Sequence, residues 1–210
     1  MLGEAGMLSL TSRLTHANIL GFTLRNMTIE LQIKKFNYVF TWFDQNGDGW
    51  LTRDDFEKIA GLFTALADEN DQKNKSAMKK AFMHWWDLLL ASGEGTPGEK
   101  IGNQEFIRIM SSSIIAPENF ENAVGGIADG LIGALDRDRN GSLSREEYVR
   151  MYDALGVPPT TSTEAFKRLD RDGSGALSYA EFRQAIVEFY LSVDPNAPGN
   201  WLLGSMDASK

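Results

Sequence analysis

A chain of 210 residues, 42% of them hydrophobic, is long enough to bury a full core and too apolar to be a largely disordered polypeptide. Its net charge of -8 at pH 7 argues against nucleic acid and anionic lipid as partners and for cations. The absence of cysteine excludes a disulfide framework, a thiolate nucleophile and a zinc-thiolate site, and two histidines far apart in sequence do not suggest zinc either.

Residues 1–26 read as an N-terminal extension without the basic-then-apolar order of a signal peptide, and no apolar run approaches the roughly 18 residues of a membrane span. A cytoplasmic location is therefore expected, where the sequon Asn26-Met27-Thr28 would go unused. Helical periodicity then sets in: Ile29, Ile33, Phe36, Phe40 and Phe43 recur at steps of three and four. They lead into Asp44-Gln45-Asn46-Gly47-Asp48-Gly49-Trp50-Leu51-Thr52-Arg53-Asp54-Asp55. This matches D-x-[DN]-x-[DN]-G-x5-E except that Asp55 replaces the final Glu.

That pattern is the EF-hand loop, and calcium chemistry explains each place in it. Side-chain oxygens point inward from Asp44, Asn46 and Asp48, Trp50 offers its backbone carbonyl, Thr52 acts through water, and Asp55 closes the cage. Phe56, Ile59, Leu62 and Phe63 continue as a second amphipathic helix, a polar linker spans 68–75, and a third helix covers Ala77 to Ala91. On this helix His84-Trp85-Trp86 reads as core at helical spacing, with an aromatic-lined ligand cavity as the sharper alternative.

The segment 94–105 is a concealed copy. With Ile101 at the core position and Glu105 in the last place, Glu94, Thr96 and Gly98 take the first, third and fifth, while Glu99 stands where the turn glycine belongs. It lacks inward oxygens, carries Lys100, and is expected to bind no metal. One helix-loop-helix does not bury its apolar face alone, so a silent copy survives as a partner. Phe106, Ile107 and Met110 leave it, and residues 111–118 form a joint too short and too apolar, at Ile114 and Ile115, for a free linker. Two packed halves are expected, not a dumbbell, with Pro117 in the first turn of the next helix.

Phe120 to Leu135 enters a third loop, and glycines 126, 130 and 133 on that helix read as close packing, since no strand precedes them as a phosphate loop requires. In the loop 136–147 Asp136, Asp138, Asn140, Ser142 through its carbonyl, Ser144 through water and Glu147 complete the pattern. Tyr148 and Met151 follow, Pro158-Pro159 breaks the chain, and Phe166 and Leu169 enter the fourth loop. There the ligands are Asp170, Asp172, Ser174, the Ala176 carbonyl, Ser178 and Glu181, with Phe182, Ile186, Phe189 and Tyr190 beyond. Leu143 and Leu177 hold the core position, where backbone pairing between partner loops is expected.

The layout resembles the sarcoplasmic calcium-binding proteins and their calerythrin-type relatives over about residues 27 to 203. The telling features are working first, third and fourth loops, a degenerate second, and the tail Asp194-Pro195-Asn196-Ala197-Pro198-Gly199-Asn200-Trp201-Leu202-Leu203. The resemblance implies an all-α fold of four EF-hand units in two paired lobes: 27–112 and 113–191, followed by a tail, 192–210, that packs on them. The expected protein is a monomeric calcium buffer with three ions, no enzymatic activity, and room for magnesium at 44–55, where Asp55 is one methylene shorter than Glu. A calmodulin-like sensor that binds a target helix needs a Met-rich groove, and only Met78, Met83, Met110 and Met151 lie in the helices of the repeats. A luciferin-like apolar-ligand carrier is the third reading. Trp201, Leu202 and Leu203 are expected to close the cleft between the lobes, with Trp201 buried.

Overall fold

The computed structural model describes residues 28–93 and 99–206. The expectations for 1–26, for Glu94, Thr96 and Gly98, and for 207–210 lie outside the described residues. The fold is all-α. Helix α1 runs through 28–43, and Phe36, Val39, Phe40 and Phe43 line its buried stripe at helical spacing. The stripe begins later than the periodicity suggests: Ile29 and Ile33 are 47% and 38% exposed, because the first two turns extend past the described core.

Helices α2 (Arg53–Leu66) and α3 (Gln72–Ser92) follow, then α4 (Asn103–Ile109), which continues through a π turn at Met110–Ile114. The joint is helical: α5 (Pro117–Phe120) starts with Pro117 in its first turn, a π turn spans Glu121–Gly125, and α6 (Gly126–Leu135) leads into the third loop. Helices α7 (Arg145–Ala154), α8 (Pro159–Leu169) and α9 (Tyr179–Leu191) complete the second half, and a short 3-10 turn at Pro198–Trp201 opens the tail. No described helix is long and apolar enough to cross a membrane.

Two strand pairs, each antiparallel, join the loops. In the first, β1 (Trp50–Leu51) meets β2 (Ile101–Gly102), with Leu51 opposite Ile101. In the second, β3 (Ser142–Ser144) meets β4 (Ala176–Ser178), with Leu143 opposite Leu177. All four of these side chains are at most 1% exposed. Residues 101–102 thus pair with 50–51 in the same register as 142–144 with 176–178. Even Glu99, in the glycine place, adopts φ +52, the left-handed turn conformation that the position demands.

The halves pack through one core. Phe43, Phe56, Phe82, Trp85 and Trp86 form an aromatic cluster, with Phe43 and Phe56 centroids 4.7 Å apart and Phe43 and Trp85 5.0 Å apart in an edge arrangement. Trp85 also meets Tyr190 of α9 edge-on at 6.3 Å, which ties the first half to the second. Helix α6 lies tight on α3: a Cβ at Gly130 would stand 3.3 Å from Met78 Cα, and one at Gly133 3.2 Å from the Asn74 amide. Glycine at these places sets the approach.

The tail lies against α8 and α9, but the residue it buries differs from the expectation. Leu202 is 6% exposed and walls the apolar space between the halves, while Trp201 stays half-buried with its ring 4.1 Å from the Arg168 guanidinium. An indole stacked under a cation keeps one face covered without entering the core.

Composition also hides a buried amine. Lys35, fully buried on α1, donates from Nζ to the Ser192 carbonyl at 2.8 Å and the Glu188 carbonyl at 3.3 Å, at the end of α9. Burial lowers its pKa to about 8, against the raising influence of Glu188 and Asp194. A neutral amine still has two N–H groups for these two carbonyls. Because the folded pKa lies below the unfolded one, the unfolded chain holds more protons between pH 8 and 10, so stability rises with pH in that window. Denaturation of the metal-free protein should show, relative to Lys35→Met, a gain on the order of 2 kcal/mol from pH 8 to 10. An equal gain in both proteins would refute the assignment.

Candidate metal centres

In each of the loops 44–55, 136–147 and 170–181 the first, third and fifth residues build their own cradle by accepting from backbone N–H groups ahead of them. Asp136 accepts from Asn140 N at 3.1 Å and Gly141 N at 2.9 Å, and Asp138 accepts from Asn140 N at 3.1 Å. Asn140 Oδ1 then accepts from Ser142 N at 2.8 Å. The fourth loop repeats this, with Asp170 on Ser174 N and Gly175 N and Asp172 on Ser174 N at 2.9 Å. Ser174 Oγ donates to the Ala176 carbonyl at 2.9 Å, so that carbonyl is directed toward the ligand residues. The first loop has the same frame: Asp44 on Asp48 N and Gly49 N, Asn46 on Asp48 N, and Asp48 on Trp50 N.

The ninth and twelfth places act together. Ser144 and Ser178 are N-caps of α7 and α9, and Glu147 and Glu181 are the third residues of those helices. The Ser144 hydroxyl donates to Glu147 Oε2 at 2.9 Å and the Ser178 hydroxyl to Glu181 Oε2 at 2.7 Å, while each backbone N–H does the same. The S-x-x-E signature of a capping box stands in the sequence at both sites, so the loop's last ligand doubles as a helix cap. The other oxygen of each glutamate accepts from the second loop residue, Arg137 N at 2.8 Å or Arg171 N at 3.0 Å.

The outcome is two convergent acid sets. Asp136, Asp138 and Glu147 each place a carboxylate oxygen within 4.8 Å of the others, and so do Asp170, Asp172 and Glu181. Three negative groups at that spacing repel unless a cation sits among them, and hard oxygen donors in this number suit calcium. At Glu181 burial pushes the carboxyl up, but bonds from Ser178 and Arg171 outweigh it and hold the group below the usual carboxylate range. Asp172 is also lowered, chiefly by its bonds to Ser174.

The first loop differs at one residue. Among the described residues Asp44, Asp48 and Asp55 do not close to the same spacing. Asp55 Oδ2 accepts from Thr52 N at 3.0 Å and Thr52 Oγ1 at 2.7 Å, but Oδ1 is buried without a hydrogen-bond partner. The side chain is one methylene too short to make the reach that Glu147 and Glu181 make to the second residue of their loops. Asp55→Glu should satisfy that oxygen and raise calcium preference over magnesium at this loop by about tenfold. Competitive titration reads the ratio, and an unchanged one would refute the length argument.

At the end of the segment 94–105, Glu105 forms a two-pronged ion pair with Arg108, at 2.7 and 2.8 Å.

Comparisons with known proteins agree with this geometry. A family profile for an EF-hand domain pair matches residues 134–186. The chain is similar to calerythrin of Saccharopolyspora erythraea, 28% identical over 78% of this chain and 94% of that one. It is also similar to the sarcoplasmic calcium-binding protein of Perinereis vancaurica tetradentata, 29% identical over 84% of this chain and 99% of the other. Among solved structures, the coelenterazine-binding protein from Renilla muelleri in its calcium-loaded apo form shares the fold, with a TM-score of 0.61 and 22% identity over 85% of this chain and 97% of that one.

Proposed function

For a chain that is an EF-hand calcium-binding protein of the sarcoplasmic and calerythrin type, we propose the role of a cytoplasmic calcium buffer with three working loops, 44–55, 136–147 and 170–181. The ligands are the eighteen residues named above by loop position, and magnesium competes best at 44–55. The protein acts as a monomer without enzymatic activity, and its partners are ions, not nucleic acid or membrane.

The observation that carries buffering over sensing is the plugged cleft. A sensor takes a target helix into an apolar groove. Here Leu202 and Leu203 lie in that space with residues of both halves, among them Trp42, Phe63, Leu131 and Met151. Calorimetric titration with calcium and magnesium tests the reading: three calcium ions bind without new binding of a hydrophobic dye. Two or four ions, or dye binding on loading, would overturn it.

One observation favours a second reading, a carrier of a small apolar molecule, as the Renilla muelleri relative's name describes for that protein. An apolar cavity of about 80 Å³ remains in the core, lined in part by Trp85 and Tyr190, and Trp85 Nε1 has no hydrogen-bond partner. Pockets for drug-sized ligands run to about 300 Å³ and above. The volume here falls well short, which ranks this reading second.

A further inference from the structure

Glu188, on α9 and outside the loops, accepts from three side-chain and backbone donors. Its Oε2 takes Arg171 Nη2 at 2.6 Å and the tail's Gly199 N at 3.0 Å, and its Oε1 takes Gln184 Nε2 at 3.0 Å. Arg171 and Glu188 are only 28% and 20% exposed, so their pairing is shielded from solvent. Arg171 is also the second residue of the fourth loop, and its own N–H holds Glu181 Oε1 at 3.0 Å. One residue thus grips the loop's closing ligand with its backbone and the tail's anchor with its side chain.

The link is peculiar to this loop. Glu188 stands seven residues after Glu181; the same step from Glu147 reaches Ala154, and from Asp55 it reaches Leu62. Neither can receive a guanidinium. The tail fits the link closely: a Cβ at Gly199 would lie 2.5 Å from Glu188 Cβ and 2.6 Å from the Ala185 carbonyl, so only glycine brings its N–H to the carboxylate.

We propose that Arg171 and Glu188 are positioning residues that couple calcium in the loop 170–181 to docking of the tail at Gly199. The inference rests on the reading of this loop as a calcium site. A docked tail restrains Arg171 and so reduces the ordering that the ion must impose on Glu181. Coupling is reciprocal, so an ion in this loop holds the tail in place.

The test uses the full-length protein, with hydrogen exchange of amides 199–204 followed with and without calcium, and the Gly141 and Gly175 amide resonances reporting the two loops. Calcium should slow tail exchange about fivefold or more. In Arg171→Met this slowing should be lost while the strand amides of β3 and β4 keep theirs. Gly199→Ala should weaken calcium at Gly175 about fivefold and leave Gly141 unchanged. An Arg171→Met protein whose tail responds as the unaltered one does would overturn the coupling, as would unchanged affinity in Gly199→Ala. Absence of calcium binding at Gly175 in the unaltered protein overturns the site itself along with the coupling; binding without tail response overturns the coupling alone.

Discussion

Saturation with calcium should raise the free energy of unfolding by about 8 kcal/mol, since each site at a hundredfold excess over its dissociation constant contributes about 2.7 kcal/mol. The cause is on the surface of the loops. Asp136, Asp138 and Glu147, and likewise Asp170, Asp172 and Glu181, hold acid oxygens within 4.8 Å of each other. Each set costs repulsion when empty and recovers it around a cation. For a chain of 210 residues that gain corresponds to a rise in Tm of about 20 °C. Glu181→Gln should remove one site and about a third of the gain. Scanning calorimetry in calcium and in chelator measures both. A rise of only a few degrees with three ions bound would mean that the unfolded chain binds them too.

Truncation after Asp194 should destabilise the calcium-loaded protein by about 4 kcal/mol and increase its binding of a hydrophobic dye several-fold. Leu202 is 6% exposed, and removing a buried side chain of that size costs about 1.5 to 3 kcal/mol. The remainder comes from the half-buried Trp201 and from polar fastening: Tyr38 Oη donates to the Leu203 carbonyl at 3.0 Å, and Asn200 Nδ2 closes the turn on the Asp194 and Pro195 carbonyls at 2.9 Å each. The cleft so opened is lined by Phe63, Leu131 and Met151 from both halves. Denaturation and dye emission of the truncated chain decide the matter. Unchanged dye emission would show that the tail covers nothing, and the case against a sensor would fall with it.

What the sequence disclosed was whatever twelve consecutive residues determine. Turn glycines and core positions follow from spacing inside one loop, so Ile101 of the degenerate copy aligns with Leu51, and the structure pairs the two. The capping role of Ser144 and Ser178 was equally local and equally legible as S-x-x-E, though its meaning for the ligands emerged only with the bonds to Glu147 and Glu181. Side-chain contacts outside the loops left no such mark. Lys35 meets carbonyls more than 150 positions away, and nothing in its neighbourhood distinguishes it from the exposed Lys34. The choice of Leu202 over Trp201 as the plug depends on where Arg168 offers its guanidinium, which is a matter of how α8 lies beside the tail. The first two turns of α1 show the opposite failure, since Ile29 and Ile33 keep the period of a core face and yet lie mostly outside it.

The pairing of β1 with β2 divides mutational freedom unequally within the segment 94–105. On the proposal of three working loops its liganding places have no ion to answer to, and Glu105 pairs with Arg108. Ile101 has no such liberty. It is fully buried opposite Leu51, four residues before Asp55, so damage there is felt across the ladder in a loop that still has a ligand set to hold. A segment relieved of chemistry remains answerable for another segment's shape, and substitutions in it will read as calcium defects at a site they never touch.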